Sequence, residues 1–182
     1  MTHRLNLFLL ALLLLVALPA WWWLLDNPLK DVAAKPLTVA SLRQLAGSVP
    51  GRAPVSVEME VLALREEPAT LTAAGSGLRS RKLSAIGHVL PVTGQGPLVI
   101  QPGVDPVAGQ PADAVHAKAV ARLKARASEA SLILTTRGQD SAAQGGVRAV
   151  APGVVVIPAA GGRMIFVRLA DGREVLFAGD IA

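Results

Sequence analysis

The sequence predicts a mixed α/β domain, of the α+β kind, that is preceded by one apolar helix. Three observations lead to this class. The segment from Leu7 to Leu25 carries no charge. Apolar and polar residues alternate strictly from Val55 to Val61, which is typical of a half-buried strand. From about Ala112 to Ala130 apolar residues repeat at helical spacing, so strands and one long helix share the remaining chain.

The uncharged segment Leu7–Leu25 is long enough to cross a membrane. As a helix it spans about 28 Å, close to the thickness of the hydrocarbon core of a bilayer. Arg4 precedes it, and the tryptophans at 21–23 close it in the manner of an interfacial aromatic belt. We therefore predict a single-pass membrane anchor with the N-terminus inside and the body on the extracytoplasmic side.

A cleaved signal peptide that ends at residues 18–20, Leu-Pro-Ala, is the alternative for this segment. A proline beside the cleaved bond and three tryptophans after it fit that alternative poorly, so an uncleaved anchor is favoured. The predicted organisation is a transmembrane anchor over residues 1–27, a tether over 28–37 and one domain over 38–182.

The body contains further helix and strand signals in a fixed order. Thr38 can cap a short helix that ends at Gly47. Asp171-Gly172 is a hairpin turn signal near the end of the chain. Besides the elements already named, strands are predicted at Leu83–Val92, Leu98–Ile100, Leu132–Thr135, Val154–Ile157, Met164–Leu169 and Glu174–Phe177.

Composition excludes several classes of function. The chain has no cysteine, so disulfides, thiolate metal sites and cysteine nucleophiles are absent. The net charge is +5, but the basic residues are scattered among acids. Tyrosine is absent and the other aromatic residues are few, so the stacking platforms that bind bases are missing. We therefore predict no nucleic-acid partner.

The stretch Thr135–Gly146 follows a predicted strand and ends in two glycines, which is a common arrangement for an active-site loop. Together with three other segments it resembles the metallo-β-lactamase fold superfamily, over residues 55–182. The stretch matches the loop that carries the family motif His-x-His-x-Asp-His. The other matching segments are 98–103, which is similar to the strand that ends in Asp-x-Gly, 158–166, which is similar to Pro-Gly-His-Thr-Pro-Gly-Ser, and 173–180, which is similar to the strand that ends in Gly-Asp.

The resemblance implies an αββα sandwich and a pair of zinc or similar ions. Those ions would activate a water molecule against an ester, amide, thioester or phosphodiester bond. The last ligand histidine of the family, and the second half of its sandwich, would lie beyond Ala182. The sequence therefore predicts a degenerate, C-terminally truncated domain with about half of the sandwich.

Residues of the wrong chemical type stand at most of the ligand positions that the resemblance implies. Arg137 and Gln139 replace the first two histidines, Ser141 the aspartate, Ala142 the third histidine, Ala160 the histidine of the third segment, and Gln101 the strand-end aspartate. Asp180 keeps the family type. The loop is one residue longer than the family loop, so Asp140 is an alternative for the aspartate.

A catalytic zinc ion normally has three protein ligands, and here Asp140 and Asp180 are the remaining metal candidates. Arg137 adds a fixed positive charge beside them. We therefore expect no zinc and no catalytic residue, and Ser141 has no histidine in its motif to activate it. His88 and His116 fall outside the ligand positions and are interpreted as ordinary structural histidines.

Three functional hypotheses follow from the sequence. The chain is a membrane-anchored, non-catalytic relative of these hydrolases with a binding or scaffold role; or it is a hydrolase that uses Asp140, Asp180 and ligands from a partner chain; or it is a decayed fragment. The predicted partners are the membrane, through residues 7–25, and a protein that covers the missing half. A half-sandwich would expose an apolar sheet face to solvent.

Overall fold

The computed structural model describes residues 2–24, 37–68, 79–137, 146–159 and 162–178. The chain divides into two compact units, Met1–Leu37 and Thr38–Ala182, which are described separately. Most of the predicted tether, residues 28–36, lies outside the described residues.

The first unit contains the helix α1, Thr2–Leu24, with Pro19 inside it. The helix forms where the apolar stretch predicts one, and every leucine, valine and phenylalanine from Leu5 to Leu18 is solvent-exposed. Among the described residues, no helix combines the length and the hydropathy that crossing a membrane requires. The transmembrane helix therefore has no support from the structure and stays a prediction of the sequence.

The first sheet of the second unit has four strands, in the order β1-β2-β3-β4. They are β1 Glu58–Pro68, β2 Ser80–Leu90, β3 Leu98–Gln101 and β4 Leu132–Thr135. β1, β2 and β3 pair antiparallel, whereas β3 and β4 pair parallel, with Leu98 opposite Leu132. The helix α3, Ala117–Ser128, lies between β3 and β4 in sequence, because a parallel pair needs a crossover connection.

The second sheet also has four strands, which follow one another as antiparallel neighbours in the order β5-β6-β7-β8. They are β5 Arg148–Ala151, β6 Val154–Ala159, β7 Gly162–Arg168 and β8 Glu174–Phe177. Gly153 makes the turn between β5 and β6 with φ of 77°, and its N–H donates to the carbonyl of Ala46 at 3.0 Å. The sequence predicted every strand of this sheet except β5.

The two sheets pack face to face around the main core. Leu90 and Ile100 of the first sheet contact Val156 and Ile165 of the second, and all four are at most 3% exposed. A helix covers the outer face of each sheet. On the first sheet α3 buries Leu123 against Val89 and Val99.

On the second sheet the helix α2, Val39–Ala46, buries Leu42 against Val155 and Phe166. The Thr38 side chain accepts a hydrogen bond from the Ser41 N–H at 3.1 Å, which confirms the predicted helix cap. The described residues thus form four layers in the order helix, sheet, sheet, helix.

The prediction that only about half of the sandwich is present is therefore wrong for the layers, since the described residues contain all four. The described residues include both sheets and a helix on each outer face. On β1, Met59, Val61 and Leu64 are nevertheless 40–69% exposed. The predicted protein partner is not tested by the structure and stays a prediction of the sequence. The continuous apolar run Val154–Ile157 could have predicted the four-layer arrangement, because a strand that is buried on both sides lies between two layers.

Element boundaries differ from the prediction where tertiary contacts intervene. The helix predicted from residue 112 begins at Ala117, because Ala112–Ala114 forms a separate 3-10 turn. His116, just before the helix, donates its N–H to the carbonyl of Leu62 on β1 at 2.8 Å. The strand predicted at 55–61 begins at Glu58 and extends to Pro68, since β2 pairs with it along that length.

Candidate functional site

The parallel strands β3 and β4 end at the same edge of the first sheet, and polar residues follow both ends. Gln101 pairs with Thr135 in the last register position. Hydrogen bonds continue the pairing beyond the strands, with the Thr136 N–H donating to the Gln101 carbonyl at 3.0 Å and the Arg137 N–H to the Pro102 carbonyl at 2.9 Å. The backbone at the start of the predicted active-site loop is therefore fixed against β3.

The same segment also joins the two sheets. The Arg163 N–H on β7 donates to the Thr136 carbonyl at 2.9 Å, and Arg137 forms an isolated antiparallel bridge with Gly162. A side chain at Gly162 would collide with the Thr136 carbonyl, so the close approach of these two backbones requires glycine. The edge where β3 and β4 end is thus a junction between the layers.

A cavity of about 630 Å³ lies at this edge. Such a volume falls within the range of about 300–1,000 Å³ that is common for small-molecule sites. Its buried apolar surface comes from Ile100 on β3 and Phe177 on β8, which are 1% and 9% exposed. The wall on the β2 side includes Leu83, Ser84, Ala85 and Ile86, and the remaining lining includes Arg65, Gln101, Val104, Asp105, Thr136, Arg137 and Ala178.

His88 on β2 lies in the cavity lining, opposite Ile100 in the sheet register. Its ring and the Phe177 ring have centroids 4.6 Å apart and planes inclined by 60°. Burial lowers the pKa of the His88 imidazole, because the charged form loses solvation among these apolar groups. At neutral pH the ring is therefore uncharged, with one nitrogen that donates and one that accepts a hydrogen bond.

Two guanidinium groups belong to the lining. Arg65 on β1 is half-buried, and its Nε lies 3.1 Å from Glu67 Oε1. Arg137 is exposed at the end of β4. Asp105 supplies a carboxylate whose Oδ1 accepts a hydrogen bond from the Val107 N–H at 3.2 Å, as in a local turn.

Of the ligand positions that the resemblance implies, the structure brings two to the cavity, Gln101 and Arg137. The other implied ligand positions lie outside the described residues, and their arrangement is untested. These are Gln139, Asp140, Ser141, Ala142, Ala160 and Asp180. The two metal candidates are among them.

The described lining residues do not fit a zinc ion. They include one imidazole, His88, and one carboxylate, Asp105, against the two guanidiniums. Three protein ligands are usual for a catalytic zinc. Within the described ranges there is no group of three histidine, cysteine, aspartate or glutamate residues that could hold a metal.

Sequence reasoning missed His88, Arg65 and Phe177 as members of the site. His88 was interpreted as an ordinary strand histidine, and the other two were not singled out. The usable signal was the strand period, since residues 84, 86 and 88 share one face of β2. That face meets β8 only through the packing of the two sheets, which local sequence does not specify.

The fold resembles that of one solved structure, whose title is "Crystal Structure of Quorum-Quenching N-Acyl Homoserine Lactone Lactonase". The similarity has a TM-score of 0.50 at 12% sequence identity and covers 70% of this chain and 74% of the lactonase chain. This likeness supports a metallo-β-lactamase-like fold. No protein-family model matches the sequence, and no curated protein matches it either.

Proposed function

We propose that this chain is a non-catalytic, ligand-binding protein built on the metallo-β-lactamase-like fold. One observation carries the proposal. The cavity at the ends of β3 and β4 has an apolar floor and two guanidiniums, but its described lining lacks the donor set for a metal. Such a cavity can bind a small molecule, whereas the described residues supply no means of activating a water molecule with a metal.

Metal content of the purified full-length chain tests this proposal. We expect much less than one zinc ion per chain after dialysis at neutral pH. A chelator should leave the melting temperature unchanged, because a metal that binds only the folded state would stabilise it. One firmly bound zinc per chain, with a melting temperature that falls on chelation, would overturn the proposal.

Attachment to a membrane through residues 7–25 is part of the proposal, with the body on the extracytoplasmic side. The uncharged sequence and the exposed apolar side chains from Leu5 to Leu18 support it. The test is fractionation of cells that express the full chain, followed by an alkaline carbonate wash. Membrane attachment predicts that the chain stays in the pellet and that removal of residues 1–27 releases the body. Release of the full chain by the wash contradicts it.

A metal-dependent hydrolase of ester, amide or thioester bonds is the second candidate. Arg137 and Ala178 both line the cavity, and Asp140 and Asp180 follow them by three and two positions in sequence. The remaining ligands would come from a partner chain. Metal-stimulated cleavage of a thioester, abolished by Asp180→Ala and kept by Asp171→Ala, would favour this candidate. No effect of added metal on any ester, amide or thioester would remove it.

A further inference from the structure

One edge of β2 has no neighbouring strand over much of its length. β1 pairs with β2 from Ser80 to Val89, whereas β3 pairs only with the stretch from His88 to Leu90. Within the described ranges, no backbone hydrogen bond on the β3 side reaches residues 83–86. Alternate residues of a strand direct their N–H and C=O groups to the same edge. About half of these groups therefore face the β3 side without a partner among the described residues.

β3 does not continue along β2 because the segment after it is bonded to the strand on its other side. The register of the two strands would place Pro102 opposite Ile86, and proline has no N–H to donate. The Gln101 carbonyl accepts the Thr136 N–H at 3.0 Å, and the Pro102 carbonyl accepts the Arg137 N–H at 2.9 Å. The described part of the sheet therefore leaves this edge of β2 open.

The open edge of β2 is a wall of the cavity. Four consecutive residues, Leu83–Ile86, line the cavity, and their side chains point alternately to the two faces of the sheet. The facing wall includes residues 103–106 in the loop after β3. The cavity therefore lies beside the strand and reaches both faces. A ligand confined to one face cannot contact all four side chains, whereas an added strand in the plane of the sheet can.

The residues of this edge permit pairing with another strand. Exposed sheet edges are commonly protected by proline, charged side chains or bulges. Residues 83–86 are leucine, serine, alanine and isoleucine, and include none of these protecting residues. The charged neighbour on β2, Lys82, lies beyond them, with its Nζ 3.9 Å from Glu66 Oε1. The edge is therefore suited to an uncharged peptide.

The inner face of the cavity indicates the side chain that such a peptide needs. Ile86 lies in the cavity lining with Ile100 and Phe177, which are 1% and 9% exposed. An apolar side chain over these three residues is removed from water, which favours binding. Ser84 is exposed further along the same face, so a polar side chain can follow two positions away.

We propose that the cavity binds an extended, uncharged peptide segment, which adds as a strand to β2 at Leu83–Ile86 and places an apolar side chain over Ile86 and Phe177. This inference rests on the proposed function, since it names the class of ligand that the cavity takes.

Titration calorimetry of the full chain in a neutral detergent tests the inference with the peptide acetyl-Ser-Val-Thr-Val-Thr-Val-Ser-amide. Its control carries a methyl group on every backbone nitrogen, which keeps the side chains and removes the N–H donors. We expect the control to bind at least about tenfold more weakly, since the loss of about two hydrogen bonds has that effect. Ile86→Thr should weaken binding of the parent peptide by about threefold or more through lost apolar contact. Ile133→Thr, the same change at an exposed position of β4 outside the lining, should leave binding unchanged.

Amide hydrogen exchange, read by mass spectrometry, locates the bound peptide. The parent peptide should slow exchange within residues 83–86, because its backbone would accept hydrogen bonds from the open edge of β2. β5 serves as the internal control, since it is also an edge strand and lies outside the cavity lining. Its exchange should not change.

Each outcome separates this inference from the function on which it rests. Equal binding of the two peptides, no binding of either, or equal effects of Ile86→Thr and Ile133→Thr overturns the inference, while a cavity for another ligand remains. Unchanged exchange in residues 83–86, or protection of β5 instead, also overturns it. Binding or cleavage of the peptide that depends on a stoichiometric, chelatable metal overturns the proposed function.

Discussion

The imidazole of His88 on β2 lies against the ring of Phe177 on β8, with 4.6 Å between the ring centroids. The two residues belong to different sheets and are far apart in sequence, so their contact exists only when the sandwich has closed. It places one titratable group at the meeting point of the core and the cavity. Both the pH dependence of folding and the chemistry of the site therefore depend on how the sheets pack.

The free energy of unfolding should decrease at acidic pH because of His88. Burial lowers the pKa of its imidazole in the folded state, so below the usual histidine pKa of about 6.5 the unfolded chain takes up a proton that the folded chain resists. The stabilising contribution is complete above that pH and is lost as the pH falls below it. We expect the free energy of unfolding to decrease more steeply from pH 7.5 to 5.5 in the wild type than in His88→Gln.

Chemical denaturation of both proteins at several pH values measures this difference. Between pH 7.5 and 8.5 the gap between wild type and variant should stay constant, which serves as the internal control. A gap that is equally constant down to pH 5.5 would show that the proton uptake of His88 is not linked to folding.

Gly153→Ala should destabilise the second sheet strongly. The residue has φ of 77°, and a Cβ there would collide with the carbonyl of Arg168. Gly172→Ala is the matched control, because Gly172 has a similar φ of 87° but no atom near the new Cβ. We expect Gly172→Ala to cost about 1 kcal/mol from backbone strain alone, and Gly153→Ala a further 1–3 kcal/mol, roughly, from crowding. Urea unfolding measures both, and equal losses would refute the crowding argument.

The outer helix layers should contribute to stability as core elements. Leu123 on α3 is 1% exposed and Leu42 on α2 is 6% exposed, each against its own sheet. Leu123→Ala and Leu42→Ala are each expected to lower the free energy of unfolding by about 2–5 kcal/mol. Lys124→Ala, at an exposed position of α3, should change it by less than about 0.5 kcal/mol.

A decayed fragment with a loose sandwich gives a different result in the same denaturation experiment. Its unfolding would be gradual, and the two leucine variants would resemble the lysine control. A single cooperative transition that shifts in both leucine variants is the expected outcome for four packed layers.

The contribution of the α2 cap to stability should depend on a single oxygen atom, Thr38 Oγ1. Thr38 Oγ1 accepts the Ser41 N–H, and its carbonyl accepts the Ser41 hydroxyl at 2.7 Å. Thr38→Ala is expected to cost about 0.5–2 kcal/mol, whereas Thr38→Ser keeps the oxygen and should cost much less. Thermal melts of the two variants compare the effects directly. Similar losses in both would mean that the threonine methyl group, and not the cap, is what α2 requires.

Local patterns predicted the elements whose signals are local. The cap at Thr38 and the strand Leu132–Thr135 appear where the sequence places them. β5 was missed because Arg148–Ala151 is short and shows no clean alternation of buried and exposed residues. Its pairing with β6, rather than its own residues, makes it a strand.

The candidate site was less predictable because it depends on contacts between distant segments. Gln101 and Arg137 were found through the resemblance of their strands to a known family. His88 reaches the cavity only through the packing of β2 against β8, and Arg65 only because β1 extends beyond its predicted end to pair with β2. Neither relationship is encoded within a short window of sequence.

The parallel arrangement of β3 and β4 has a practical consequence for protein engineering. Leu98, Val99, Ile100 and Leu134 of these strands are buried, while the segments that follow Gln101 and Thr135 leave the sheet side by side at its edge. New reactive groups could be introduced by substitutions in those two segments alone, while Val99 and Ile100 keep the sheet packed. The residues that stabilise the domain and the residues that would carry reactive groups can therefore be changed independently.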